Sequence, residues 1–279
     1  MVRAGNFDAF YFATRNRHLN VMKYLVELAG DGVQEMAAAR NFQAFRSAAV
    51  GGHLDVMEYL VAIAGDSVQE MVRAENFAAF RFAACGHLEV MEYLVALAGD
   101  SVQDMVRADN FDAFRWAARG GHLDVMEYLV ALAPESVQEM AAARNFDAFQ
   151  MAAQGGHLAV MEYLIELAPE VAQEMVRADN FAAFRKAAGG GHLAVMEYLM
   201  SLAPECVQEM VRTGNFHAFR LAAEGGHLAV MDYLMSLAPD SVQDMVCEVD
   251  FAAFRRAAEN RHLAVMNKLM SFPAVFAYA

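Results

Sequence analysis

The sequence predicts an all-α solenoid of eight stacked helical repeats with polar capping repeats, and three observations carry that expectation. The dipeptide His-Leu recurs with His at 18, 53, 87, 122, 157, 192, 227 and 262, a period of 35 with one step of 34, and a fixed period of about 20–50 residues marks a repeat architecture. Apolar residues fall at helical spacing within each period. Glycine and proline punctuate the pattern at matching places in successive copies. The copies divide the chain, read as one repeat domain over residues 1–279, at about 6–40, 41–75, 76–109, 110–144, 145–179, 180–214, 215–249 and 250–279. The short step comes from "AACGHL" at 83–88, which lacks one letter of "AARGGHL" at 117–123 and so places a deletion in a loop.

Each repeat reads as three helices. In the fourth, Phe111, Phe114, Ala117 and Ala118 stand at i, i+3, i+6 and i+7, one apolar stripe on a first helix that starts near Phe111. Gly120 and Gly121 end it, because glycine takes the left-handed conformation of a helix end without steric cost. The second helix, from His122 or Leu123, has Leu123, Val125, Met126, Tyr128, Leu129, Val130 and Leu132 apolar. Only Asp124, Glu127 and Ala131 are left to face outward, so this helix is expected to be covered on most sides. Pro134 breaks it and opens a third short helix, where its missing N–H is no loss. Val137 and Met140 give that helix an inward edge.

A repeat of this size cannot bury its second helix alone, so neighbours must share one continuous core. The first and last repeats fit a capping role. Their Gly-Gly becomes Asn16-Arg17 and Asn260-Arg261, and the outward Glu of the second helix becomes Lys23 and Asn267. The Tyr that follows it in seven repeats becomes Lys268 in the eighth, where no next repeat would cover it. Met1 stands at the register of Met36, Met71 and Met105, which suits a natural start and a cut inside a longer array equally.

Composition narrows the function classes. With 279 residues and 57% apolar letters the chain can bury a large core. A net charge of −14 disfavours nucleic acid, whose affinity comes from Lys and Arg displacing condensed counterions. Cys85, Cys206 and Cys247 are odd in number and share no spacing, so neither a disulfide framework nor a CxxC metal site is expected, and a reducing intracellular setting fits. The "VMEYL" segments carry an acid every few residues and the start "MVRAGNFDAF" lacks the apolar stretch of a signal peptide, so no membrane is expected.

The segment "AARGGHLDVMEYLVALA" at 117–133 resembles the helix–turn–helix of an ankyrin repeat, with Ala-Ala, Gly-His-Leu and a Val/Leu-rich helix in register. The resemblance extends over about residues 6–271. It departs in two places: the family's Thr-Pro-Leu-His opening is replaced by "FDAFR" at 111–115, and its β-hairpin by the helical "APESVQEM" at 133–140. The resemblance implies a monomeric, non-enzymatic scaffold for protein–protein interaction, without cofactor, cytoplasmic or acting as a secreted effector inside a host cell. Its protein or peptide partner would be recognised on the concave surface of the first helices, since the hairpin tips are missing.

Comparing the copies within this chain separates scaffold positions from free ones. In the first helix the unconstrained positions fall at i, i+4 and i+7, a single helical face. Its middle letter is Phe12, Ser47, Phe82, Trp116, Met151, Lys186, Leu221 and Arg256 in successive repeats. A position that accepts serine, lysine, arginine and tryptophan cannot be deep core, because burying an unpaired charge costs too much. Phe82, Trp116 and Met151 on successive layers therefore predict an exposed apolar strip rimmed by Asp112, Arg119, Asp147 and Gln154, the composition of a partner site. Arg115, Lys186 and Leu221 complete the candidate partner-binding set. The alternative is drift, with these side chains merely packed by long neighbours and the array serving as a structural spacer within a larger protein.

Three repeated polar features have competing readings. Two nitrogens on one zinc must lie within about 4 Å of each other, which is less than the distance between layers, so the eight aligned histidines are expected to bond local backbone instead. Arg46, Arg81, Arg115, Arg185, Arg220 and Arg255, interrupted by Tyr11 and Gln150, form a ladder. It reads either as a basic track for an acidic partner, or as stems covering the core edge with heads paired to carboxylates at helix ends. Catalysis needs a unique, shielded constellation, and only His217 and Glu224, seven apart on one helix face, offer an acid–base pair. No enzyme is expected.

Overall fold

A computed structural model describes residues 7–273 and 275; among them every regular element is a helix. The chain forms two compact units, one of residues 1–117 with 122–136 and the other of residues 118–121 with 137–279. Each unit is built from the same repeat. In the first, short helices such as Leu54–Ala64 and Leu88–Ala98 alternate with longer bent elements, Val33–Val50 and Val68–Ala83. In the second, Leu158–Leu167, Leu193–Leu202 and Leu228–Leu237 alternate with Val137–Gly155, Ala172–Gly190 and Val207–Gly225. The start of the first repeat and the last few residues of the eighth lie outside the described residues.

The bend in each long element is where the third helix of one repeat meets the first helix of the next. It consists of residues in the left-handed conformation: Arg40, Asn41 and Phe42 have φ of 53°, 56° and 56°, and Asp179, Asn180 and Phe181 have 48°, 54° and 57°. Left-handed backbone costs an L-residue about 1–2 kcal/mol, least for Asn and Asp, which accounts for the Asn of the recurring "NF". Phe111, expected as a helix start, is the last residue of such a turn at φ 59°. Its stripe is nevertheless as expected, with Phe111, Phe114, Ala117 and Ala118 all buried.

The ladder arginines offset the strain of this turn. Arg81 Nε donates to Asn76 O at 3.1 Å and its Nη2 to Glu75 O at 3.0 Å. Arg185 repeats the pair on Asn180 O and Asp179 O, and Arg220 on Asn215 O and Gly214 O. Gln150, an apparent gap in the ladder, reaches Asn145 O at 3.0 Å with its amide. A charged donor on a carbonyl contributes about 1.5–3 kcal/mol. The heads thus hold backbone carbonyls first and carboxylates second.

The second helix is less covered than its composition suggests. Val125, Met126 and Leu129 are buried, whereas Leu123, Tyr128, Val130 and Leu132 are half-exposed. The densest packing runs between the long elements, which leaves the second helix only one narrow inward stripe. Its methionines, Met22 through Met231, are fully buried core fillers, while Met266 is half-buried. Pro134, Pro169, Pro204 and Pro239 behave as expected of a helix opening, each starting a single 3-10 turn, as in Pro169–Val171, before the third helix.

The Gly-Gly-His junction joins layers. His157 N bonds Ala152 O at 3.0 Å and Gly156 N bonds Ala153 O at 3.3 Å, a helix end closed by a glycine at φ 76°. The histidine ring does not bond local backbone as expected. Instead Nε2 donates to the preceding repeat: His87 to Val50 O, His157 to Arg119 O, His192 to Gln154 O and His227 to Gly189 O, each at 3.0 Å, and His262 to Glu224 O at 2.9 Å. The second glycine makes room for that ring, since a Cβ on Gly156 would lie 2.5 Å from His192 Nδ1.

The end repeats differ from each other. Lys268 pairs with Asp232 of the preceding repeat at 2.8 Å, and the tyrosines it replaces sit near acids of the preceding repeat as well. Burial first, and then Glu58 or Glu92, raise the phenols of Tyr93 and Tyr128. Lys268 thus makes a contact with the repeat before it, as the tyrosines do. The first repeat's outer face is not polar throughout: Val21, Tyr24 and Leu28 are exposed beside Lys23.

Candidate recognition face

The middle position of the varying face is buried in none of the eight repeats, from Phe12 through Arg256. The last position of the face joins the layers through a backbone atom. Val50, Arg119, Gln154, Gly189 and Glu224 each present the carbonyl that accepts the next histidine. Side chains here can change without touching the bond that joins layers.

The predicted Phe82–Trp116–Met151 strip is divided between the two units: Phe82, Asp112, Arg115 and Trp116 belong to the first, and Arg119, Asp147, Met151, Gln154, Lys186 and Leu221 to the second. In the first unit Asp112 is an organiser rather than a rim residue. Its carboxylate accepts from Arg81 Nη1 at 2.9 Å, from Trp116 Nε1 at 3.1 Å and from Arg115. Arg81 also pairs with Asp109 and lies 5.8 Å from the centre of the Phe82 ring. Trp116 and Phe82 are half-buried, held on this polar frame rather than standing free. Arg115 is only 3% exposed, and a partner cannot reach a side chain so covered; it leaves the candidate set.

Below this frame in the first unit, Tyr11, Arg15, Gln43, Arg46, Ser47, Val50 and Phe82 enclose a groove of about 370 Å³. Its floor is open because the middle residue of that repeat is the small Ser47.

The second unit carries a larger groove, about 480 Å³, lined by Gln154, Lys186, Gly189, Gly190, Leu221, Glu224, Gly225 and Asn260. Three of the predicted residues, Gln154, Lys186 and Leu221, therefore meet around one cavity. Asp147 and Met151, half-buried, and Arg119, exposed, lie on the same face but outside the groove lining. Gly189 creates the depression: other repeats place Arg119, Gln154 or Glu224 at this register. Lys186 Nζ donates to Gln150 Oε1 at 3.1 Å, and Gln150 in turn bonds Asp179 Oδ2 at 3.0 Å. The Gln150 bond is the main reason Asp179 is held below its usual pKa, with Asn145, Lys186 and Arg185 adding to it. Ser47 and Gly189 shape the two grooves by what they lack, a feature that a one-letter pattern does not display.

His217 and Glu224 do not form an acid–base pair. His217 Nδ1 accepts from Arg185 Nη1 at 2.9 Å, and burial followed by the charges of Arg185, Arg220 and Arg256 lowers its pKa. Glu224 pairs with Arg256. No cluster of three metal-ligating side chains occurs among the described residues, and no described helix is long and apolar enough to cross a membrane.

No family model and no curated protein matches the sequence. Among solved structures the chain is similar to an ankyrin repeat family protein from Legionella pneumophila, at 22% identity and a TM-score of 0.46, over 88% of this chain and 83% of that one.

Proposed function

We propose that the chain is a non-enzymatic recognition module that binds a protein or peptide partner on the varying face of its first helices, with the groove around Lys186, Gly189 and Leu221 as a principal contact. One observation carries the reading: the varying positions Gln154, Lys186, Gly189, Leu221 and Glu224 line the groove, while the histidine bonds that join layers use only the backbone carbonyls of Gln154, Gly189 and Glu224. The groove offers an apolar floor at Leu221, an ammonium at Lys186, a carboxylate at Glu224 and amides at Gln154 and Asn260. That mixture suits an extended peptide better than a wholly apolar ligand, since specificity in such grooves comes from a few placed polar groups around an apolar contact.

The test is a photo-crosslinking amino acid at position 221, with position 197 on the exposed part of the second helix as control. One defined adduct from 221, absent from 197, is expected. Gly189→Gln should remove it by refilling the groove with the residue type that Gln154 holds in another repeat, leaving the thermal melt unchanged. Adducts from both positions, or an adduct indifferent to Gly189→Gln, would overturn the assignment in favour of a spacer.

A further inference from the structure

The arginine ladder changes at its seventh repeat. Arg46 pairs with Glu75, Arg81 with Asp109 and Asp112, and Arg185 with the ring nitrogen of His217, each acceptor lying at or just beyond the boundary with the next repeat. For Arg220 the corresponding places are held by Val249 and Ala252. Its guanidinium still bonds the turn carbonyls of Asn215 and Gly214, but among the described residues no carboxylate bonds it. A groove of about 320 Å³ opens there, lined by Arg220, Val249, Ala252, Arg255, Arg256 and Glu259.

Three guanidiniums thus line one small groove in a chain of net charge −14. Arg255 is bonded to Val249 O, and Arg256 to Glu224. We propose that this groove takes a carboxylate side chain from an acidic peptide segment of the partner, in the place that Asp109 and Asp112 occupy for Arg81. The molecule itself supplies the precedent, since Arg46 and Arg81, at the same place in their repeats, bind internal carboxylates there. Burial and then the charge of Arg256 lower the Arg220 pKa, with Glu248 opposing them, as expected for a cation short of counter-charge. The proposal rests on the recognition reading above and names the chemistry of one contact.

Two variants separate binding from folding. Arg220→Gln removes the charge while keeping a turn bond of the kind Gln150 makes to Asn145 O. Val249→Asp supplies the missing internal acid at a residue with φ 52°, where a β-branched side chain is strained and Asp is tolerated. Fluorescein-labelled hexaglutamate should bind the full chain at low salt, with hexaglutamine silent. Both variants should weaken binding at least about tenfold, the value of one charge-assisted pair, and Val249→Asp should do so with an equal or higher melting temperature. Undiminished binding by folded Val249→Asp, or no binding by the wild type, would overturn the proposal. Crosslinking at 221 reads the recognition function separately, so failure here with those adducts intact removes only the carboxylate contact.

Discussion

Arg81 and Arg220 stand at one place in two repeats, and half of what each does is identical. Both clamp the carbonyls of a left-handed turn. On the side facing the next repeat they differ: Arg81 meets Asp109 and Asp112 and is largely covered, whereas Arg220 meets Val249, Ala252 and open space. A scaffold arginine thus loses its carboxylate partner when its neighbour drops an acid. Arg185, whose acceptor is the uncharged ring of His217, lies between the two cases.

The largest expected effect tests whether that difference is energetic. Arg81→Ala removes two turn bonds and strips a cation from Asp112, whose side chain is only 14% exposed. Breaking a partly buried pair from one side is costly, so a loss of about 2–4 kcal/mol is expected. Arg220→Ala loses the turn bonds alone and should cost about 1.5–3 kcal/mol, the two bonds of one guanidinium not adding in full. Urea unfolding of the two variants measures both, and equal losses would show that Asp109 and Asp112 add nothing to the scaffold.

A smaller effect asks what Trp116 contributes to the same frame. Trp116→Phe keeps an aromatic ring, though a smaller one, and deletes the N–H that bonds Asp112 at 3.1 Å. A loss of about 0.5–1.5 kcal/mol is expected. No loss in urea unfolding would show that the indole is held by packing alone and that its N–H is available to a partner.

Much of the fold was legible because stacking repeats must agree with one another. The stripe of Phe114 and Ala117, the buried methionines and the glycine-closed helix end all follow from spacing. The left-handed turn was not, because "NF" looks like a helix start and only the arginine five residues later, reaching back to the Asn carbonyl, shows otherwise. The varying face was legible for the same reason as the core, with the sign reversed: eight copies reveal where the residue type can change. What a single copy conceals is depth. Trp116 and Asp112 read as surface and rim, yet their mutual bond and the two arginines draw them inward. Arg115 lies so far in that only its helix partner Asp112, three residues before it, hints at its burial.

The smallest expected effect concerns the intermediate case, Arg185 with His217. The groups around that imidazole are Arg185, Arg220 and Arg256, which oppose its protonation together with burial, and Glu224, which favours it. Its pKa is therefore lower folded than unfolded. Between the unfolded value, about 6.5, and the lower folded one, the unfolded chain binds the extra proton, so stability falls as pH falls through that window and levels off below it. His217→Gln keeps an oxygen for Arg185 to donate to and removes the titration, while every other histidine is common to both proteins. The stability of the wild type relative to this variant should be constant above about pH 6.5 and decline below it, by less than either preceding effect because the ring is half-exposed. Urea unfolding of both proteins from neutral to mildly acidic pH measures the gap. A gap that stays flat would show that His217 is protonated against Arg185 at no cost, and that the ladder tolerates a neighbouring positive charge as readily as it accepts an acid.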